Sequence, residues 1–263
     1  MNRTPLAFAL LCATVSVTTL HAAPISVKHS QGTQHGFLAL RSESGELIGR
    51  GDLIQWSRGD RVTTELVLHF RDGSLDDEIS TFTQAGTFRL LSDHHVQKGP
   101  FFSKQLDMTV DGNGNVVVHT TEKNGKEKVD TEHIDLPADD INGMILPLFT
   151  NLTPHAAEEV SLVVPVLDKG RLIKLAIDPE GPQHFSDVGH TESADIFRVH
   201  MNLGGIVGAV APMIGKQPPD LFIWVAEGPA PQVVRLFGPL AEDTPPVSIE
   251  LSGAVFKHVA AGK

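Results

Sequence analysis

Along most of the chain, apolar and polar residues alternate with a period of two, and glycine-containing pairs punctuate the alternation. Stretches such as RVTTELVLHF, NVVVHTT and RLIKLAI lie between turn signals at Asp72-Gly73, Ala85-Gly86, Asp111 to Gly114, Asn124-Gly125, Asp168 to Gly170 and Glu180-Gly181. β-Branched alternation bounded by Asp-Gly or Asn-Gly is the strongest short hairpin signal a sequence offers. The pattern predicts a mainly β protein. Roughly ten to thirteen antiparallel strands would form a barrel, half-barrel or sandwich.

Two segments depart from this period. Across about 139–152, Ile141, Met144, Ile145, Leu148, Phe149 and Leu152 fall on one face of a helix, with Asp139 or Asp140 placed to cap it and Pro147 to bend it. The expectation is a short helix against the sheet or across a barrel mouth. Asn151-Leu152-Thr153 also matches the glycosylation sequon. The second departure is the apolar, glycine-rich stretch 203–215. It is no phosphate loop, because Val210 stands where a glycine is needed and Gln217 follows Lys216. It lacks the Gly-x-Gly-x-x-Gly fingerprint of a dinucleotide site and is too short to span a bilayer. A buried plug and a lid over an apolar cavity remain as its readings.

Composition narrows the class. Arg3, the apolar run Pro5 to Leu20 and His21-Ala22-Ala23 form the pattern of an export signal, so residues 1–22 are read as a leader and 23–263 as one β-rich domain, with two halves meeting near 140 as the alternative. Periplasmic or secreted localisation follows as the expectation. Cys12 is the only cysteine and lies in that leader, so a mature chain would have neither disulfides nor cysteine metal ligands. The net charge of −11 becomes −12 when Arg3 is lost, which disfavours nucleic acid as a partner. No cofactor is called for, no stable membrane span is expected, and the absence of tyrosine weakens carbohydrate-binding readings.

Candidate chemistry comes from strand register. If Asp72-Gly73 and Ala85-Gly86 are two-residue turns, Leu68 faces Asp77, and Asp77 faces His94. Leu66, Leu68, Phe70, Leu75, Ile79, Phe88, Leu90 and Val96 then share an apolar face around that pair. Asp77 and His94 would form an acid-base dyad or a polar anchor. The walls would come from Leu66, Leu68, Phe70, Phe88 and Leu90, with Trp224 as a further lining residue. The reverse face carries Glu65, His69, Asp76, Glu78, Asp93 and His95 and reads as a solvated acidic surface. Asp93, His94 and His95 cannot converge on a metal, since neighbours on a strand point to opposite faces.

In the segments Pro137 to Met144 (PADDINGM) and Leu203 to Pro231 (LGGIVGAVAPMIGKQPPD…IW…GPAP), the chain resembles a family of uncharacterised secreted bacterial β-rich proteins. More distantly, the order of strands, helix and strands is similar to periplasmic half-barrels that carry lipid or lipoprotein acyl chains. The resemblance implies a carrier for a hydrophobic small-molecule ligand and supplies no catalytic residues. An enzyme using Asp77 and His94, and a structural protein with a filled core, stay open beside it.

Overall fold

The computed structural model describes residues 24–201 and 219–256. The expected leader 1–22 and the glycine-rich stretch 203–215 lie outside the described residues. Fifteen strands and one short helix follow in chain order. The front strands are β1 (Gln34–Ser42), β2 (Leu47–Arg58), β3 (Arg61–Phe70), β4 (Leu75–Thr83), β5 (Arg89–Lys98), β6 (Lys104–Asp111), β7 (Asn115–Glu122) and β8 (Glu127–His133). After α1 (Ile145–Phe149) come β9 (Glu158–Val166), β10 (Lys169–Asp187), β11 (His190–Met201), β12 (Leu221–Ala226), β13 (Gln232–Gly238), β14 (Val247–Leu251) and β15 (Ala254–Val255).

All fifteen belong to one antiparallel sheet. Its order is β15-β10-β11-β12-β13-β14-β1 and then β2 to β8 in sequence, with β9 on the first part of β10. The pairing of β1 with β14 therefore joins chain on either side of residue 140 in the same sheet. The sheet curls into a barrel-like shape without closing. Across the remaining seam, side chains replace the ladder. Asp168, at the β9–β10 turn, receives Lys104 Nζ at 2.8 Å, Thr120 Oγ1 at 3.1 Å and Lys128 Nζ. Arg171 reaches Glu132 at 3.2 Å and Lys169 reaches Asp130 at 3.6 Å. Burial alone would raise the Asp168 pKa, but these hydrogen bonds and charges outweigh it and bring it down to about 2.

Several local expectations change. The helix is five residues long, not fourteen, and neither Asp139 nor Asp140 caps it. Gly143 sits at φ 61°, which breaks the helical path ahead of Met144. Asp139 instead accepts hydrogen bonds from Ser161 Oγ at 2.9 Å and Lys174 Nζ at 2.8 Å. The apolar spacing was real, because this segment lies inside the sheet's curl. Ile141, Leu148, Phe149 and Leu152 pack on Val160, Ile177, Phe197 and Ile223, while Met144 joins Val62, Phe82 and Val118. Asn151 is buried, accepts the Lys28 and His29 amides at 2.7 Å each and donates to the Pro147 carbonyl at 2.7 Å, so its amide is a structural latch. Glu180-Gly181 is a bulge inside β10 rather than a turn. Among the described residues no helix is long and apolar enough to cross a membrane.

Candidate functional site

The β3–β4 turn decides which side chains enter the interior. The Phe70 amide donates to the Ser74 carbonyl at 3.0 Å and the Gly73 amide to the Phe70 carbonyl at 3.2 Å, leaving Arg71, Asp72 and Gly73 as a three-residue loop. Gly73 takes φ 88°, the left-handed conformation such a loop requires. Against a two-residue turn this slips the register by one. Leu68 now pairs with Asp76, Leu66 with Glu78 and Val67 with Asp77. A one-residue slip exchanges the faces of a strand. Asp76, Glu78, Asp93 and His95, expected in water, therefore face inward beside Leu66, Leu68 and Phe70, while Glu65 and His69 stay on the outer face.

Three adjacent rows of the inner face show the consequence. One row, Gly51–Leu68–Asp76–Gln97–Leu106, is buried. Another, Gln55–Thr64–Ser80–Asp93–Val110, is buried too. Between them Leu53, Leu66, Glu78 and His95 are only half-buried, and Met108 closes the end of the row. Protein surrounds Glu78 and His95, yet they keep reachable surface, with the His95 side chain 25% exposed. They thus form a half-buried strip of the inner face, with Leu53 and Leu66 beside them.

The polar groups there are unevenly satisfied. His95 Nε2 lies 2.9 Å from Asp76 Oδ1, and Gln97 Nε2 donates to Asp76 Oδ2 at 2.9 Å and to the Leu240 carbonyl at 3.0 Å. Ser80 Oγ donates to Asp93 Oδ1 at 2.9 Å. Gly143 presses onto this pair so closely that a Cβ would lie 1.6 Å from Ser80 Oγ. Burial pushes the Glu78 carboxyl up to about 8, with the Asp93 and Asp76 charges adding and His95 opposing. Burial would depress His95, but the hydrogen bond and charge of Asp76, with Glu78 and Asp93, raise it to about 9. Burial also raises Asp93, against the pull of Ser80, His95 and Asn142. Asp140, buried beside them, rises to about 7 through desolvation and the charges of Asp93 and Asp139, with the Asn142 amide opposing. The Asn142 backbone N–H acts on that carboxylate without a well-formed hydrogen bond to either oxygen.

The residues singled out from sequence are distributed as follows. Asp77 pairs with Val96 and His94 with Ile79, two residues apart in register, so Asp77 and His94 do not meet. Both belong to the outer face, where His94 Nε2 contacts Asp107 Oδ1 at 3.0 Å. The Asp–His pair of the interior is Asp76–His95, their immediate chain neighbours. Leu66, Leu68 and Phe70 do face inward, the last two buried with Leu40, Phe102 and Val247. Phe88 and Leu90 lie in a different cluster, with Val62, Phe82 and Met108. Trp224 packs on the far side of β12 from Ile223 and Val225. There its indole N–H donates to Gln183 at 2.7 Å and Arg235 stands 4.6 Å from its ring. Two signals were missed in the sequence. One is the glycine at the third β3–β4 loop position, which admits a three-residue turn as readily as a two-residue one. The other is the β4–β5 connection, which is longer than a two-residue Ala85-Gly86 turn and has a bulge at Thr81–Phe82, so that the register there moves by two and parts Asp77 from His94.

Two surface concavities lie away from this strip. A groove of about 510 Å³ at one end of the sheet is lined by Ile48, Phe70, Phe101, Pro246 and Val247, with Arg71 and Glu46 at its rim. A smaller one of about 180 Å³ lies between Phe149, Leu152, Phe197 and Asp195. Among the described residues, no three His, Asp or Glu side chains are arranged to hold a metal ion.

No family model and no curated protein matches the chain. Among solved structures, it is similar to a beta-barrel-like protein of a domain of unknown function, DUF1849, from Brucella abortus. The TM-score is 0.42 at 10% identity, covering 86% of this chain and 99% of that one.

Proposed function

We propose that this is an exported binding protein that holds an apolar or amphipathic small molecule within its curled sheet. The half-buried row Leu53–Leu66–Glu78–His95 carries the reading: leucines offer apolar contact and a few placed polar groups offer an anchor, the usual make-up of a small-molecule site. The charged, apolar and small-residue order of the first 22 residues supports export. The test is uptake of an uncharged naphthylamine probe, together with native mass spectrometry of the purified protein. Saturable uptake that Leu66→Asp abolishes while the fold is kept would support the proposal. No uptake and a clean apo mass would sink it.

A second reading is general acid catalysis on such a ligand, favoured by the Asp76–His95 pair beside Glu78. With its pKa raised to about 9, His95 is protonated at neutral pH and suits a proton donor better than a base. Loss of turnover but not of ligand affinity in His95→Gln would support catalysis over carriage.

A further inference from the structure

We propose that the free edge of β8 is a self-association surface, where a second copy of the chain pairs β8 with β8, antiparallel, about a two-fold axis at Val129. β8 ends the sheet order, and among the described residues no strand lies beyond it. The β9–β10 hairpin closes the seam on the inner face of β8, not on its edge. Lys128, Asp130 and Glu132 meet Asp168, Lys169 and Arg171 there. Gly170 packs on β7 so closely that a Cβ would lie 2.6 Å from Val116 Cγ1. The other margin is covered differently, since Asp139 and Ile141 bond the backbone of Ser161 in β9 at 3.0 and 2.9 Å.

The turns at either end of the β7–β8 hairpin fix which backbone groups are free. The Glu122 amide donates to the Lys126 carbonyl at 2.9 Å, and the Ile134 amide to the Gly114 carbonyl at 2.8 Å. Bonded and non-bonded pairs alternate along an antiparallel ladder. Lys128, Asp130 and Glu132 therefore bond to β7, while the amides and carbonyls of Glu127, Val129 and Thr131 point away from it. Such a row is a template for another strand. Val129, at its centre, is 66% exposed.

Charge selects the occupant and the register. A two-fold axis through the edge opposes residues equally far from it, inner with inner and outer with outer. Among the interior positions, an axis at Lys128, Asp130 or Glu132 sets a like charge opposite itself, and one at Thr131 sets Asp130 opposite Glu132. At Val129 the pattern is self-complementary. Lys128 faces Asp130, Lys126 faces Glu132, Glu127 faces Thr131, and Val129 meets its own copy. Asp130 has room for that lysine: its Oδ2 has no hydrogen-bond partner, and Lys169 stands 3.6 Å from its Oδ1. Lys126 is exposed and forms no ion pair among the described residues. The pairing adds about six backbone hydrogen bonds and continues one sheet through both copies.

The experiment is sedimentation equilibrium of the whole chain from about 1 to about 200 µM. An interface of one strand edge lies at the small end of specific contacts, so a dissociation constant of about 1–100 µM is expected. Val129→Pro removes an N–H that β7 does not use, so the fold should hold while the dimer weakens at least about tenfold. Should that variant misfold, Lys126→Glu places like charges opposite Glu132 and should weaken the dimer about tenfold. Cross-linking reads the register. In a Cys12→Ser background, Val129→Cys should join to its copy on mild oxidation, because paired Cα atoms at the axis stand about 5.5 Å apart, and Thr131→Cys should not. A chain that stays monomeric at about 200 µM, with or without a bound peptide, overturns the proposal. So does a dimer that Lys126→Glu leaves unchanged, or one that cross-links through Thr131→Cys in preference to Val129→Cys.

Discussion

Two Asp–His pairs, built on neighbouring histidines of β5 that point to opposite faces, show what position does to the same chemistry. Asp76 and His95 meet at 2.9 Å on the inner face, with side chains 10% and 25% exposed. Asp107 and His94 meet at 3.0 Å on the outer face, with side chains 57% and 47% exposed. Distance hardly separates them; surroundings do. Inside, desolvation would lower His95, but three carboxyl groups outweigh it and raise the imidazole, and protons become part of the structure. Outside, water screens the pair, and such contacts are worth little.

The comparison can be broken most severely at Gly143. Gly143→Ala would set a Cβ against Ser80 and Asp93 at a positive φ, and should cost about 2–4 kcal/mol in urea unfolding. Next comes the direct contrast. His95→Ala strands Asp76 in the interior with Gln97 alone and should cost about 3 kcal/mol, whereas His94→Ala should cost about 0.5 kcal/mol or less. Equal effects would deny the two faces their difference.

pH sharpens it further. Glu78 has a folded-state pKa near 8 against 4.5 for the ordinary group, so the native state holds an extra proton between those values. Its contribution is fully present below about pH 4.5 and is lost as pH rises through about 8. His95, raised to about 9, likewise stabilises fully below its ordinary value of 6.5 and ceases to do so above about 9. Melting temperature should therefore fall between about pH 6 and about pH 9, and Glu78→Gln should flatten that slope and gain roughly 3–8 °C at the alkaline end. The smallest effect is expected at the seam. Asp168→Asn should lower the melting temperature by roughly 2–4 °C in low salt and by less in molar salt, because exposed lysines supply its partners.

The strands were legible in the sequence because a curled sheet with a filled interior needs alternation, and RVTTELVLHF, NVVVHTT and RLIKLAI each became a strand or part of one. The interior of the β3–β5 meander was not. Parity hangs on one loop residue, and Gly73 suits either loop length. The acidic character of Asp76, Glu78, Asp93 and His95 then argued for water and concealed the slip. Apolar spacing over 139–152 was read as a helix, yet a segment buried within the curl shows the same residues without needing helical turns. The pair Asp77 and His94 was right in residue type and one position out on each strand.

The most direct measurement is the titration of the His95 imidazole by NMR, its resonances assigned through His95→Gln. A midpoint near 9 is expected for a ring held among Asp76, Glu78 and Asp93 on the inner face. A midpoint at or below the ordinary value of 6.5 would place His95 in water or leave it without its carboxylates, and would contradict the inward-facing site.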